Sequence, residues 1–345
     1  MAKTNFATND ALVKKTWEEK LYRDTVRDSY FNRFFGQDSS SLVHVKTQLE
    51  KSQGDKITFG LRMRLQAEGV TEGQMLEGNE EKLQVYDYAL SLSQYRHAVR
   101  DAGAMARKRA MFSIDDESRM ALKEWGSEKI DKLCFSALLD TPTKTIYRTA
   151  AGLQSTSTPA TAKAALTAAD SKITPALISA LKALAQTGGD VNGTRAFIPI
   201  RPVRVDGSEY YVLLAHPDVI YDMKQDATFQ TAWRDAQERG KNNPLFKDAA
   251  IVWDGVVVHS HPLMTAGTDA GAGSNVPFSR AVFMGAQALT WAWGQRESIV
   301  MKEFDYDNEH GYAWGMIAAV GKPKFNSVDF GSISVYLART NIAGL

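Results

Sequence analysis

The stretch Gly54-Asp55-Lys56-Ile57-Thr58-Phe59-Gly60-Leu61-Arg62-Met63-Arg64-Leu65 decides how the chain is read. Ile57, Phe59, Leu61, Met63 and Leu65 alternate without a break with Lys56, Thr58, Gly60, Arg62 and Arg64. Side chains two apart share one face of a strand, so this strand has an apolar face and a polar, basic one. Gly54-Asp55 reads as a turn from a preceding strand, Val43 to Leu49. A polar, glycine-rich stretch follows from Glu68 to Glu81, and it contains Leu76-Glu77-Gly78-Asn79-Glu80-Glu81. A second alternating run then sets Tyr86, Tyr88, Leu90 and Leu92 against Asp87, Ser91 and Ser93. Two long strands around an acidic tip predict a protruding β-hairpin arm. Such an arm is marginal alone in water and needs a partner surface.

Working outward, Asn9 and Asp10 offer a helix cap, and Val13, Trp17, Leu21, Tyr22, Val26, Tyr30 and Phe34 recur at helical spacing up to Gly36. This amphipathic helix must bury its stripe on its own domain or on a neighbouring subunit. Ser113-Ile114-Asp115-Asp116 fits the capping box and opens a helix to about Leu139, roughly 40 Å long at 1.5 Å per residue. Between Thr149 and Ala169 nearly every residue is Ala, Ser, Thr, Pro or Gly, which reads as a flexible loop or linker. Thr174-Pro175 starts a helix ending at Gly188-Gly189, Phe197 to Val205 and Glu209 to Leu214 form a hairpin, and Pro217-Asp218 opens a short helix. Strands are expected at Val256 to Ser260, Arg280 to Phe283, Ile299 to Phe304, Tyr312 to Val320 and Ser332 to Leu337, with Thr265 to Asn275 a loop. Helices and strands mix without regular βαβ alternation, so the expected class is α+β.

The chain has 345 residues, with 41 Lys plus Arg against 40 Asp plus Glu, a formal charge of +1. That balance argues against a dedicated nucleic-acid binder. Cys134 is the single cysteine, so no disulfide framework exists. The first residues lack the apolar run of a signal peptide, and no apolar stretch of about 18 residues appears. The expectation is a soluble protein made in the cytoplasm.

Candidate catalytic chemistry is sparse. His259-Ser260-His261-Pro262 puts two imidazoles on one side of a strand, which suits a shared metal. The tetrapeptide resembles a zinc-hydrolase motif, but Asp269 and Ala272 stand where that motif needs Ser and Asp, and two histidines leave zinc a ligand short. Strand-end packing is the preferred reading. Gly315 to Lys322 departs from a phosphate loop in spacing, and Pro323 replaces its magnesium-binding hydroxyl. Cys134 lies on the long helix's apolar stripe and reads as a buried thiol. Arg96, Arg100, Arg107, Lys108 and Arg109, opposed only by Asp101, form a basic cluster, by default a solvated face, otherwise a contact for phosphates or for a partner's acidic patch. No catalytic, metal or cofactor residues are expected, and assembly is favoured over catalysis.

Three motifs in order, Gly54 to Met63, Leu76 to Glu81 and Arg96-His97-Ala98-Val99-Arg100, resemble the N-four-type phage major capsid protein family. The resemblance runs from Thr4-Asn5 to Gly311-Tyr312-Ala313 and Asp329-Phe330-Gly331. It implies the HK-97-type capsid fold, with residues 1–40 as N-arm and 41–100 as E-loop. Residues 101–194 would be the peripheral domain with spine helix and variable loop, 195–305 the axial domain, and 306–345 a return to the peripheral domain. The implied function is a coat protein that self-assembles into pentamers and hexamers and closes an icosahedral shell around double-stranded DNA. Portal, scaffold and decoration proteins are further implied partners, the virion is the implied location, and no membrane partner is implied. Trp17, Tyr22, Phe59, Leu61, Arg62, Arg64, Glu77, Glu80 and Glu81 are the expected intersubunit contacts. The alternatives are an encapsulin-like nanocompartment shell or, more remotely, a metal-dependent hydrolase.

Overall fold

The computed structural model describes residues 29–50, 54–62, 65, 69–189, 199–205, 207–235 and 249–342. A 3-10 turn at Phe31–Phe34 leads to β1 (Phe35–Gly36), β2 (Val43–Lys46), β3 (Lys56–Arg62), β4 (Val85–Ser91) and β5 (Ser93–Arg100). Next come α1 (Ala104–Arg109), α2 (Ile114–Leu138), β6 (Thr145–Thr149), β7 (Gly152–Thr156), α3 (Pro159–Ala164) and α4 (Pro175–Thr187). β8 (Val203–Val205), β9 (Ser208–Ala215), α5 (Pro217–Gln225), α6 (Ala227–Asp235), β10 (Ala249–Trp253), β11 (Val256–Ser260), β12 (Ala266–Ala270) and β13 (Val276–Met284) follow. The chain closes with β14 (Leu289–Phe304), β15 (Glu309–Gly321), the small pair β16 (Lys324–Phe325) and β17 (Val328–Asp329), and β18 (Ser332–Ala338). The class is α+β, as expected.

Two compact units emerge. The larger holds Ser29–Tyr95, Lys129–Arg296 and Met316–Leu345, and the smaller, among the described residues, Arg96–Glu128 and Glu297–Gly315. The larger unit is built on a mixed sheet in the order β10-β11-β9-β13-β18-β6-β7. Its strands are apolar on both faces, as buried central strands must be: Tyr211 to Ala215, Val256 to Val258 and Ala281 to Met284 are all buried. Ile178 and Leu181 of α4, Val219 and Met223 of α5 and Phe229 of α6 pack on Leu213, Val258, Phe283 and Val335. Burying each such side chain contributes about 1.5–3 kcal/mol relative to leaving it in water. Local chemistry sets the helix ends. The Thr174 hydroxyl accepts from the Leu177 N–H, Pro175 sits at the first position, and Gly188 closes α4 with φ 70°.

Helix α2 runs through the expected interval, and Leu122, Ile130, Cys134, Phe135 and Leu138 are its buried stripe. Burial pushes the Cys134 thiol well above its ordinary range. The helix ends on buried cations. Arg280 donates to the carbonyls of Leu139 at 2.7 Å and Asp140 at 2.9 Å, and Lys322 lies 3.1 Å from the Asp329 carboxylate. Positive charge at a helix C-terminus meets the last, unpaired carbonyls. In the smaller unit the Ser113 hydroxyl accepts from the Asp116 N–H, which fits the expected cap. There β15 runs between β14 and β5, and Trp125 packs edge-on against Trp314 and tilts over His97.

Several expectations change. The segment from Val43 forms the short strand β2, which pairs parallel with β1 and β14; among the described residues β3 pairs with β4 alone. A 3-10 turn at Gln48–Glu50 ends any strand there, and Glu50 is held by Arg296 at 2.9 Å. The small-residue stretch after Thr149 is ordered: β6 and β7 pair from Thr145 to Thr156, and Ala162 and Leu166 are buried beside Phe278 and Tyr336. Alanine there permits close packing, which composition alone reads as looseness. The segment Thr265 to Asn275 contains β12, which pairs with β13. Of the strand expected over Phe197 to Val205, only β8 forms among the described residues, where it pairs with β9. The helix expected through Trp17, Tyr22 and Val26 lies outside the described residues; Phe34 belongs to the 3-10 turn, and Tyr30 stands at its N-cap.

Candidate assembly surface

Strands β3 and β4 form the expected antiparallel hairpin, in register from Lys56 opposite Ser91 to Arg62 opposite Val85. Opposed residues share a face, so Ile57, Phe59 and Leu61 stand with Leu90, Tyr88 and Tyr86. At the root that face is covered by the same chain: Ile57 and Leu90 are buried against Ala292 of β14 and Ala319 of β15, with Phe59, Tyr88 and Leu92 packed around them. A neighbouring subunit is expected to cover the Ile57, Phe59, Leu61 face or the Tyr86, Tyr88 face of the arm; at Ile57 the cover comes from the same chain. Gly321 makes this docking possible, since a Cβ there would lie 2.1 Å from the Tyr88 hydroxyl. Burial, with Asp140 nearby, pushes the Tyr88 phenol up to about 12.

Phe59 and Leu61 are half-buried and line a cleft of about 330 Å³ together with His44, Lys46, Tyr88 and Phe325. Arg62 is exposed at the end of β3. Glu77, Glu80 and Glu81 are exposed together on the tip, while Trp17, Tyr22 and Arg64 lie outside the described residues. The tip folds locally: the Asn79 N–H donates to the Leu76 carbonyl, the Asn79 side-chain amide to the Met75 carbonyl, and the Gly78 N–H to the Glu80 carboxylate at 2.8 Å. Gly69, Gly73 and Gly78 take positive φ there, and Gly78 sits within this bonded turn.

The residues that sequence reading missed are apolar. Leu65, Met75, Leu76, Leu83 and Val85 are exposed on this one arm, Met75 and Leu76 by 72% and 64%. Exposed apolar side chains concentrated in one segment are the kind of patch from which interaction sites are built. For Met75 and Leu76 the available signal was large apolar residues inside a glycine-rich, acidic stretch, where no strand or helix period calls for them.

Elsewhere the candidate chemical groups lie in packed or paired surroundings. His259 is fully buried with its ring edge-on to Phe34 at 5.5 Å, and His261 stacks on Phe135 at 4.3 Å. Tyr30 touches both imidazoles, so the two share a side and are packed among aromatic rings. Asp131 of α2 anchors the adjoining entry segment by accepting from the Ser29 hydroxyl and the Tyr30 and Phe31 N–H groups at 2.8–3.2 Å. In the basic cluster, Arg107 pairs with Asp101 and Arg100 with Glu309, whereas Lys108 and Arg109 are exposed on α1 beside exposed Met105, Met111 and Phe112.

The family described as phage capsid protein matches residues 5–340. The major capsid protein of Pseudomonas phage KPP25 is 32% identical over 97% of both chains. The capsid of Ralstonia phage GP4 superposes with a TM-score of 0.80 at 29% identity, covering 99% of each chain. The capsid asymmetric unit of cyanophage Pam1 gives the same TM-score at 22% identity, covering 99% of this chain and 100% of that one. Sequence and fold agree along the whole length, so the chain belongs to the phage capsid protein family and carries the HK-97-type shell fold.

Proposed function

We propose that this chain is the major shell subunit of a tailed-phage head and resides in the virion. The observation that carries the reading is the full-length agreement, in sequence and in fold, with proteins named as phage capsids. On this reading the subunit works by burial between copies and not by catalysis. Pentamers and hexamers close the shell around double-stranded DNA, and portal, scaffold and decoration proteins complete the set of partners. The arm, spine and axial boundaries implied by the resemblance belong to the same proposal.

The hairpin supplies a mechanism. Its tip offers Leu65, Met75, Leu76, Leu83 and Val85 with Glu77, Glu80 and Glu81. The α1 region of a second copy offers Met105, Met111 and Phe112 with Lys108 and Arg109. Apolar burial contributes about 25 cal/mol per Å² before ordering costs. Charge complementarity between tip and helix fixes register more than it adds affinity. Phe59, Leu61, Arg62 and Arg64, with Trp17 and Tyr22 of the N-terminal segment, remain proposed contacts.

The test is electron microscopy and light scattering of the purified protein. Pentamers, hexamers or closed shells are expected, with no hydrolase activity above background. A strictly monomeric species at high concentration, with any required scaffold supplied, overturns the reading.

A further inference from the structure

The turn joining β14 to β15 holds three successive non-glycine residues in the left-handed region: Asp305 and Tyr306 at φ 51° and Asp307 at φ 68°. L-residues adopt that conformation against a steric cost, so something must hold it. Tyr306 contributes nothing to the holding, because its side chain is wholly exposed at 104%. Two backbone-centred ties secure the flanks. Asn308 donates to Asp305 and accepts from the Ala104 N–H at 3.2 Å, and the His310 N–H donates to Asp101 at 2.8 Å.

The third tie is the His310 ring, which stands between two carboxylates. Its Nε2 is hydrogen-bonded at 3.0 Å to Oδ1 of Asp307 in the turn, and its Nδ1 lies at ion-pair distance, 3.4 Å, from Oδ2 of Asp115 in the first turn of α2. A carboxylate only accepts, so both contacts are attractive only when both ring nitrogens carry hydrogen. The neutral ring keeps one N–H and turns a lone pair toward the other carboxylate. We propose that His310 is a proton-operated latch between the β14–β15 turn and the start of α2, closed as imidazolium and half-released as imidazole.

The surrounding charges favour the closed form. Asp307 and Asp115 face the ring from the turn and from α2, the Asp101 carboxylate lies within 4.8 Å of the ring and of Asp115, and the Arg107 cation on α1, paired with Asp101, opposes them. Arg100 and Glu309 form their own pair. Hydrogen bonding to Asp307 accordingly raises the His310 pKa above 6.5, with Asp115 adding to the effect against burial and Arg107. A raised histidine pKa places the stabilisation fully below the unfolded value, and it is lost as pH rises through the folded value.

The latch belongs to the free subunit, and its test needs no shell. Histidine-labelled full-length protein is titrated by NMR, with the His310 resonance assigned from His310→Gln. Hydrogen exchange of the Phe304 to Tyr312 segment is measured at acid and alkaline pH and corrected for intrinsic rates. His310 is expected to titrate above 6.5 and to fall in both Asp115→Asn and Asp307→Asn. Protection of the segment is expected to be about fivefold greater at acid pH, a difference abolished in His310→Gln. A His310 pKa at or below 6.5, or one unmoved by both aspartate substitutions, overturns the proposal. So does an unchanged pH difference in a folded His310→Gln protein.

Discussion

Between Gly126 of α2 and the Trp314 indole there is room for a hydrogen and no more: a Cβ would lie 2.6 Å from the ring. Alanine is the better helix former by about 1 kcal/mol, yet overpacking costs about 1–3 kcal/mol, so the clash wins. Gly126→Ala should lower the denaturant midpoint, and a raised midpoint would show that the indole moves aside without cost. Lys144 is a second residue whose environment decides its effect. Burial holds its ammonium down to about 8, against 10.5 for free lysine. Between those values the unfolded chain binds a proton that the folded chain lacks, so stability rises with pH across that window. Below it the buried charge costs up to about 3 kcal/mol by linkage. Lys144→Met should therefore melt higher than the parent at pH 7, with the advantage shrinking as pH rises through the window; an advantage independent of pH would count against a charge effect. Neither residue announces itself in sequence. A glycine inside a helix and a lysine before a strand are ordinary until the distant Trp314 and Asp329 are brought beside them.

At the scale of the element, the hairpin was legible because a period of two over seven residues leaves little choice of structure. Its division of labour was not. The same apolar alternation serves Ile57, which is buried on Ala292 and Ala319, and Leu61, which lines a cleft. Sequence cannot separate these, because the partners of Ile57 are small residues on strands far along the chain. The consequence is a contrast between two substitutions. Phe59→Glu places a charge against the Tyr88 and Ile57 cluster and should cost about 1–3 kcal/mol of the subunit's own stability. Leu76→Asp acts on an exposed tip residue and should leave melting within about 0.5 kcal/mol while sharply lowering particle yield. Paired melting curves and particle counts separate the two, and equal yields for Leu76→Asp and parent would remove the tip from the contact. Small-residue stretches misled in the opposite sense. Thr149 to Ala169 and Thr265 to Asn275 lack bulk, but Ala162 and Ala270 are buried together.

For the whole molecule, near-neutral net charge conceals a segregation of sign: glutamates collect on the arm's tip, while Lys108 and Arg109 stand exposed on α1. If copies meet through these regions, opposite charges steer encounter, and salt screens them within about 10 Å at 0.1 M. The initial rate of assembly should fall as sodium chloride is raised, and the triple change Glu77→Gln, Glu80→Gln, Glu81→Gln should flatten that dependence. Light-scattering time courses at several salt concentrations would measure it; an equally steep response in the triple variant would rule the tip out as the steering element.

A shell subunit has to carry load as well as make contacts, and the hairpin's root gives that load a path. Seven residue pairs join β3 to β4, and the inner end of the ladder is seated on β14 and β15 by Ile57, Leu90 and the Tyr88 ring over Gly321. Antiparallel hydrogen bonds lie across the strand axis, so tension drawn along one strand loads them side by side instead of one after another. The ladder then works as a lap joint, spreading force over its whole length before any bond gives. A subunit built this way can be gripped by its tip without being peeled open at its root.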